Sequence, residues 1–96
     1  MATFITLVNF TEQGIKNIKD TPGRFEAFRK LAAELGVTVK IAYWTVGQYD
    51  MVIIVEGTDE SATSVLLKVA SLGNIRTQTL RAFSKEEIEK ILGKVT

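Results

Sequence analysis

The chain has 96 residues, 46% of them hydrophobic, and its twelve Lys and Arg nearly balance its eleven Asp and Glu. This length and balance suit one folded domain over residues 1–96 and exclude disorder caused by low hydrophobicity or high net charge. Because His and Cys are absent, the sequence offers no imidazole base, disulfide, thiolate nucleophile or ordinary zinc, haem or iron–sulfur site. We therefore expect neither a metal nor a cofactor.

Bulk properties also limit the partners. The densest apolar run, residues 51–55, is bounded by Asp50 and Glu56 and is much shorter than the roughly 18 residues that a membrane helix needs. The N-terminus has no basic segment before its apolar residues, which argues against a secretory signal and favours a cytoplasmic location. Like charges occur only in pairs, so no basic stripe is available for nucleic acid. We expect no membrane and no nucleic-acid partner.

The first predicted elements are a strand and two helices. Residues 2–9 are β-branched and aromatic, which favours a strand. Thr11 suits the N-cap of a short helix, and Thr21-Pro22 begins a main helix that runs from about residue 22 to 35. Apolar residues recur in this helix at helical spacing, and Gly36 supplies its left-handed stop.

A hairpin is predicted next. Residues 37–46 form one strand by their alternation, residues 49–56 form the return strand, and Gly47-Gln48 fits a two-residue loop with glycine first. Strict alternation in the earlier strand puts four residues on each face: Val37, Val39, Ile41 and Tyr43 on one, and Thr38, Lys40, Ala42 and Trp44 on the other.

The last third of the chain predicts a helix, a strand and another helix. The helix begins at residues 57–60, with acidic residues in its first turn and Gly73 as its stop. Residues 74–83 form the fourth strand. Ser84 and Glu87 have the spacing of a capping box at the start of the C-terminal helix.

This element order, βαββαβ plus a C-terminal helix, is the ferredoxin-like pattern. It predicts an α+β fold with an antiparallel four-stranded sheet and helices on one face. Right-handed crossovers place the first and third strands in the middle. These two strands are apolar on both faces, whereas the second and fourth include polar residues, in agreement with central and edge positions.

Helices on one face leave a second apolar face that needs cover, because an exposed patch of several hundred Å² is rare on a soluble monomer. Burying about 600 Å² at about 25 cal/mol per Å² contributes on the order of 15 kcal/mol before entropic costs. The cover is either a second copy, since symmetric dimers are the commonest oligomers, or the apolar stripe of the C-terminal helix folded back over its own sheet. We favour self-association into a homodimer or higher oligomer.

Residues 43–50, Tyr-Trp-Thr-Val-Gly-Gln-Tyr-Asp, contain a Gly-x-Tyr-Asp hairpin and resemble the GYD domain family. Thr11-x-x-Gly14, then residues 19–21 with Arg24, and residues 72–83 resemble the same pattern at matching spacing, so the resemblance covers nearly the whole chain. It implies a dimeric α/β barrel in which two ferredoxin-like sheets pack face to face. It implies no chemistry, because structural relatives of the family include amino-acid sensors, cofactor-free oxygenases and haem-degrading enzymes.

The hairpin residues admit a structural and a functional interpretation. Gly47 supplies the positive φ of the turn, and Asp50 is placed to accept backbone N–H bonds. A similar hairpin occurs in regulators of the Lrp/AsnC type, where it lies near an effector site between subunits. That resemblance implies that Asp50 holds a ligand ammonium group and Tyr49 a ring or acyl chain.

Thr77, Thr79 and Arg81 alternate along the fourth strand. They are either the solvated side of an edge strand or a binding row for a carboxylate or phosphate, for which Arg offers a bidentate fork.

Four further side chains also have two interpretations. Lys40 and Trp44 are either an edge cation and an interface aromatic or the wall of a ligand cavity. Lys19 and Arg24 flank a helix start, where they either stay at the surface or reach another subunit or an anion.

We expect a small homo-oligomeric module that binds a small molecule or a partner protein without catalysis. One alternative is a cofactor-independent enzyme, oxygenase- or isomerase-like, with its substrate in a cavity between sheet and helices. Another is a domain that senses an amino acid or other metabolite as effector. The candidate ligand residues are Trp44, Tyr49, Asp50, Thr77, Thr79 and Arg81, and the structural turns are at Gly47 and Gly73.

Overall fold

The computed structural model describes residues 1–95 and contains an antiparallel four-stranded sheet in the order β2-β3-β1-β4. The strands are β1 (Ala2–Phe10), β2 (Thr38–Trp44), β3 (Met51–Gly57) and β4 (Ile75–Ala82). The helices are α1 (Glu12–Lys16), α2 (Thr21–Glu34), α3 (Asp59–Ala70) and α4 (Lys85–Leu92), with a 3₁₀ turn at Ile18–Asp20 before α2. The predicted ferredoxin-like fold is confirmed, with β1 and β3 in the middle of the sheet.

Local signals in the sequence explain where the helices begin and end. The hydroxyls of Thr11 and Thr58 accept the N–H groups that open α1 and α3, and the capping box of Ser84 and Glu87 opens α4. Gly36, at φ +79°, ends α2, and the N–H that follows it donates to the Ala32 carbonyl at 2.8 Å. These bonds satisfy backbone groups that a helix end would otherwise leave unpaired.

β2 contains a bulge that strict alternation does not predict. Its register with β3 shifts between Val39 and Ile41, so one extra residue is inserted and the side chains beyond it exchange faces. The predicted alternation is therefore wrong from this point. Ala42 and Trp44 share the helix side of the sheet with Val39, and Lys40 is separated from Trp44.

The connection from β2 to β3 is longer than the two residues predicted. The Thr45 N–H donates to the Asp50 carbonyl at 2.8 Å, which encloses the four residues 46–49. The Thr45 hydroxyl donates to the Tyr49 carbonyl at 2.5 Å and stiffens this loop from within. Gly47 lies in the loop at φ +144°, a conformation that L side chains rarely adopt.

The core lies between one face of the sheet and the helices α2 and α3. We call this the covered face; its strand residues include Phe4, Val8, Met51, Ile53 and Val55, all buried. The opposite side is the open face. Its apolar residues are Ile5, Leu7, Ile41, Tyr43, Val52, Ile54 and Leu80.

α4 leaves the open face bare. In residues 1–95 it packs closely on no other element, and its apolar residues Ile88, Ile91 and Leu92 stay 39%, 40% and 58% exposed. The alternative in which the C-terminal helix covers its own sheet is thus wrong for the described chain. The physical reason is that only two residues separate the end of β4 at Ala82 from the start of α4 at Lys85, so α4 begins at the edge of the sheet, next to its outer strand. No helix in residues 1–95 has the length and apolar character that a bilayer crossing requires.

Candidate functional site

A cavity of about 280 Å³ lies between the covered face and the helices α2 and α3. It approaches the lower end of the roughly 300–1,000 Å³ typical of small-molecule sites and exceeds the roughly 150 Å³ of a cavity that holds benzene. Its volume therefore suits a small organic molecule. Its apolar lining consists largely of Val8, Phe10, Met51 and Ile53 from the sheet, Phe25, Phe28 and Leu31 from α2, and Leu66, Val69 and Leu72 from α3 and its end.

The cavity lies where the two helices pack on different parts of the sheet. α2 packs on β2 at one edge of the sheet, whereas α3 packs on β3 and β4, so the central strand β1 forms the floor between them. Phe25 contributes to the wall on the α2 side. Its ring centroid lies 5.6 Å from that of Trp44, in a T-shaped pair, and 6.2 Å from that of Phe28. Such aromatic pairs favour particular ring geometries and help to fix the position of this wall.

The segment that opens α1 is bonded to residues 72–74 after α3, of which Leu72 and Asn74 line the cavity. The Thr11 N–H donates to the Asn74 carbonyl at 3.0 Å, and the Thr11 hydroxyl donates to the Gly73 carbonyl at 2.6 Å. Gly14 passes so close that a Cβ there would lie 2.1 Å from the Asn74 oxygen. Gly73 itself turns at φ +84°. We call residues 11–14 and 72–74, which are held together by these contacts, the latch.

Polar groups gather at this latch end. Arg24 lines the cavity, and its guanidinium donates to the carbonyls of Asn17 at 2.8 Å and Gly14 at 3.3 Å. Lys68, in the last turn of α3, also contributes to the lining. Among the lining residues of the described chain these are the charged ones, and both are cations.

The candidate residues of the hairpin lie in three different environments. Trp44 donates from its indole Nε1 to the Thr21 hydroxyl at 3.2 Å and backs the cavity wall. The Tyr49 hydroxyl donates to Gln78 Oε1 at 3.1 Å, on the open face. Asp50 accepts the Phe10 N–H on its Oδ2 at 2.9 Å and ties the end of β1 to the hairpin.

The three candidates of β4 lie on the helix side of the sheet, because they pair with covered-face residues of β1. Thr77 lines the cavity. Thr79 shares a hydrogen bond of 3.2 Å with the buried Thr6 hydroxyl. The Arg81 guanidinium lies over the Phe83 ring at 4.5 Å and over the Phe4 ring at 5.6 Å. The structure thus brings one of the six candidates, Thr77, into the cavity lining and places Trp44 behind it.

Glu87, whose pKa is shifted, is not among the residues that line the cavity. The pKa of Glu87 is lowered from its ordinary value, first because its carboxylate accepts the Ser84 backbone N–H and further through the Ser84 hydroxyl and the positive charges of Arg81 and the N-terminus. Within residues 1–95, no cluster of three acidic groups is arranged to hold a metal ion. The cavity lining itself offers apolar side chains, the hydroxyls of threonines and the cations Arg24 and Lys68.

Sequence reasoning missed most of the cavity lining. Phe25, Phe28, Leu66 and Val69 have the helical spacing of core residues, and nothing in that spacing distinguishes a side chain that fills the core from one that borders a void. The sequence marks Arg24 as a cation at a helix start, whereas no pattern distinguishes Lys68 from other exposed lysines.

Comparison with known proteins adds a family and a fold. The model of the GYD domain family matches residues 4–92. No curated protein sequence matches the chain. Fifteen chains of solved structures match it.

Three of these structures illustrate the likeness. The crystal structure of FFRP-DM1 is 22% identical, with a TM-score of 0.60 over 86% of this chain and 100% of that one. A feast or famine regulatory protein from M. tuberculosis, in complex with L-methionine, is 14% identical with a TM-score of 0.65, over 88% and 52%. A glycine cleavage system transcriptional repressor, assigned as such by similarity, is 16% identical with a TM-score of 0.55, over 86% and 46%. At these identities the likeness shows the fold, and this chain spans about half the length of the last two.

Proposed function

The chain belongs to the GYD domain family, and we propose that it is a cytoplasmic, homo-oligomeric module that binds a small, largely apolar molecule without catalysis. The cavity of about 280 Å³ between sheet and helices carries this proposal. A protein of the same fold, the feast or famine regulatory protein, is in complex with the small molecule L-methionine, which supports ligand binding as a use of this architecture.

The character of the lining favours binding over catalysis. General acid–base catalysis most often relies on His, which this chain lacks, or on a carboxylate placed against the substrate. The lining residues of the described chain include hydroxyls, Arg24 and Lys68 but no carboxylate. We therefore rank an oxygenase or isomerase working in the same cavity below a binding module.

A thermal-shift screen with a cavity-filling variant tests the binding site. Amino acids, organic acids, nucleotides and aromatic compounds are screened, and a ligand at 100 times its Kd stabilises the fold by about 2.7 kcal/mol. Val69→Phe would fill the cavity from α3 and abolish the shift, whereas Ala70→Phe on the exposed side of α3 would keep it. A panel without a ligand, or a shift that persists in Val69→Phe, would contradict the proposed site.

Recovery of the ligand distinguishes binding from catalysis. We expect mass spectrometry to return the compound unchanged after prolonged incubation with the protein in air. Conversion to an oxidised or rearranged product would instead establish the enzymatic alternative.

Self-association is the second part of the proposal, and the open face supports it. Ile41, Tyr43 and Leu80 are 43%, 65% and 42% exposed, and the half-buried Leu7 and Ile54 lie between them on the central strands. A continuous apolar patch of this kind marks an interaction surface. A second copy packed face to face would cover it.

Sedimentation equilibrium at micromolar concentration tests this interface. We expect the wild type to be a dimer or a larger oligomer and Ile54→Lys, on the open face, to sediment as the 10.6 kDa monomer. Ser64→Lys adds the same charge at an exposed position of α3 and should keep the assembly. A wild type that sediments as a monomer would rule out the oligomer.

The same interface offers a place for an effector. Tyr49 lies on the open face with its hydroxyl at Gln78, so in a face-to-face dimer it would border the space between subunits. An amino acid bound there would be released by Tyr49→Phe and unaffected by Val69→Phe. The opposite pattern would place the ligand in the cavity and leave Tyr49 and Asp50 with structural roles.

A further inference from the structure

The charges that line the cavity narrow the class of its ligand. Both charged side chains in the lining of the described chain, Arg24 and Lys68, are cations. Building on the proposed function, we infer that the cavity binds a monocarboxylate with an apolar body, whose chain or ring lies over the sheet and whose carboxylate lies at the latch end between Arg24 and Lys68.

The two cations belong to the same end of the cavity. Arg24 reaches from the first turn of α2 to the carbonyls of Gly14 and Asn17 in and after α1. α1 is in turn bonded to residues 72–74. Lys68 lies in the last turn of α3, directly before that segment. The latch therefore brings the start of α2 and the end of α3 together around one opening.

The charge at this opening is positive, and no salt bridge within the described part of the chain neutralises it. The three ion pairs found in residues 1–95 involve neither Arg24 nor Lys68. Arg24 also lies in the first turn of the 14-residue helix α2, where the helix dipole adds partial positive charge. A carboxylate here gains charge-assisted hydrogen bonds, whereas an ammonium group would meet two like charges.

The rest of the cavity accommodates an apolar body. Beneath the opening lie Val8, Met51 and Ile53 of the covered face, which are 1%, 5% and 6% exposed, and Phe28 covers them from α2. Displacing water from such a surface supplies most of the affinity of an apolar chain. The ligand class is thus amphipathic: one negative group, and a hydrocarbon or aromatic portion that fills a space of about 280 Å³.

Three probes that share an unbranched eight-carbon skeleton and differ in their head group test this inference. Octanoate, octan-1-ol and octylammonium, each below its micelle concentration, are titrated by calorimetry into the wild type, Lys68→Gln and Lys30→Gln. Lys30 is an exposed lysine of α2 outside the cavity lining. Lys30→Gln therefore removes the same charge as Lys68→Gln without changing the cavity, and serves as the control.

We expect octanoate to bind about tenfold more tightly than octan-1-ol, the scale of one hydrogen bond to a charged group, and octylammonium to bind most weakly. Lys68→Gln should weaken octanoate about threefold, the scale of an exposed ion pair, and leave octan-1-ol unchanged. Lys30→Gln should change neither. Raising the salt concentration should reduce the preference for octanoate, because counterions screen exposed charges.

The outcomes separate the two proposals. Octan-1-ol or octylammonium binding as tightly as octanoate, or Lys68→Gln weakening all three probes equally, overturns the carboxylate while the apolar cavity stands. If none of the three probes binds, but a ligand of another class binds and Val69→Phe blocks it, the carboxylate is likewise overturned and the cavity stands. Failure of every probe and of the whole metabolite panel overturns both proposals.

Discussion

The covered and open faces of the sheet have nearly the same composition and very different surroundings. On β3, Met51, Ile53 and Val55 face the helices and are 5%, 6% and 3% exposed, whereas Val52 and Ile54 face away and are only half-buried. The strand supplies apolar side chains to both sides, so the placement of α2 and α3 decides which side becomes the core. The other side needs a second molecule to reach the same burial.

The two faces also differ in the room that they offer to a small ligand. On the covered face a cavity remains between the sheet and the helices α2 and α3, lined by residues of all of them. On the open face no such cavity exists, because no element of residues 1–95 lies over it. A small ligand is therefore expected on the covered side, and a protein surface on the open side.

The largest expected effect separates neighbouring isoleucines of β3. Ile53→Ala should lower the free energy of unfolding by about 3 kcal/mol, because it removes buried hydrocarbon groups and enlarges the cavity that Ile53 lines. Ile54→Ala should cost the dilute, dissociated protein about 1 kcal/mol or less, because its partner surface is absent there. Urea unfolding at low protein concentration measures both. Equal losses would mean that the two faces are equally covered within one chain.

The latch that holds the helices over the covered face gives the next effect. Gly14→Ala would place a methyl group 2.1 Å from the Asn74 oxygen, and relieving this overlap should cost about 2–3 kcal/mol. Gly23→Ala is the matched control, since its Cβ would meet nothing within 4 Å and should stabilise α2 by up to about 1 kcal/mol. If Gly14→Ala melts no lower than the wild type, residues 11–14 and 72–74 are not in the contact described.

A smaller effect concerns the polar pair on the covered face. Thr79→Val leaves the Thr6 hydroxyl, only 2% exposed, without its partner and should lower the free energy of unfolding by about 1 kcal/mol. Thr79→Ser keeps the hydroxyl and should cost clearly less. Thr79 lies outside the cavity lining, whereas its partner Thr6 belongs to it, so ligand affinity should be unchanged in Thr79→Ser, which keeps the bond. Loss of affinity in Thr79→Ser would return Thr79 to the binding site.

The smallest effect is the pH dependence of α4. The pKa of Glu87 is lowered in the folded chain below its ordinary value of 4.5, so its capping bond is present above that value and lost as the pH falls through the lowered pKa. Carbon chemical shifts of α4 should therefore lose helical character in acid while the sheet persists. Glu87→Gln retains a side chain that can form the capping box and should remove this dependence. An unchanged acid response in Glu87→Gln would assign it to another group.

Much of the fold follows from local physics that a sequence displays. N-caps at Thr11, Thr58 and Ser84 and the stop at Gly36 depend on the residue and its immediate neighbours, and all four are in place. The bulge after Val39 depends on how β2 pairs with β3, and no single residue type marks it. Strict alternation therefore cannot predict which face of the sheet the residues of β2 after Val39 occupy.

The candidate site was less predictable because its chemistry depends on tertiary distances. The hairpin residue Asp50 was a candidate for ligand and for structure, and its bond to the Phe10 N–H depends on where β1 ends. Phe25 and Val69 look like core residues in the sequence and become cavity walls only through the way α2 and α3 are placed on the sheet. The cations Arg24 and Lys68 are 44 positions apart and meet only through the latch.

Methyl NMR with the ligand from the metabolite screen tests the central claim most directly, because it compares the two faces within one spectrum. Binding in the cavity predicts shifts of the Ile53, Val8 and Val69 methyl groups and none for Ile54 or Leu7. Shifts confined to Ile54 and Leu7 would place the ligand on the open face and contradict the cavity as the binding site.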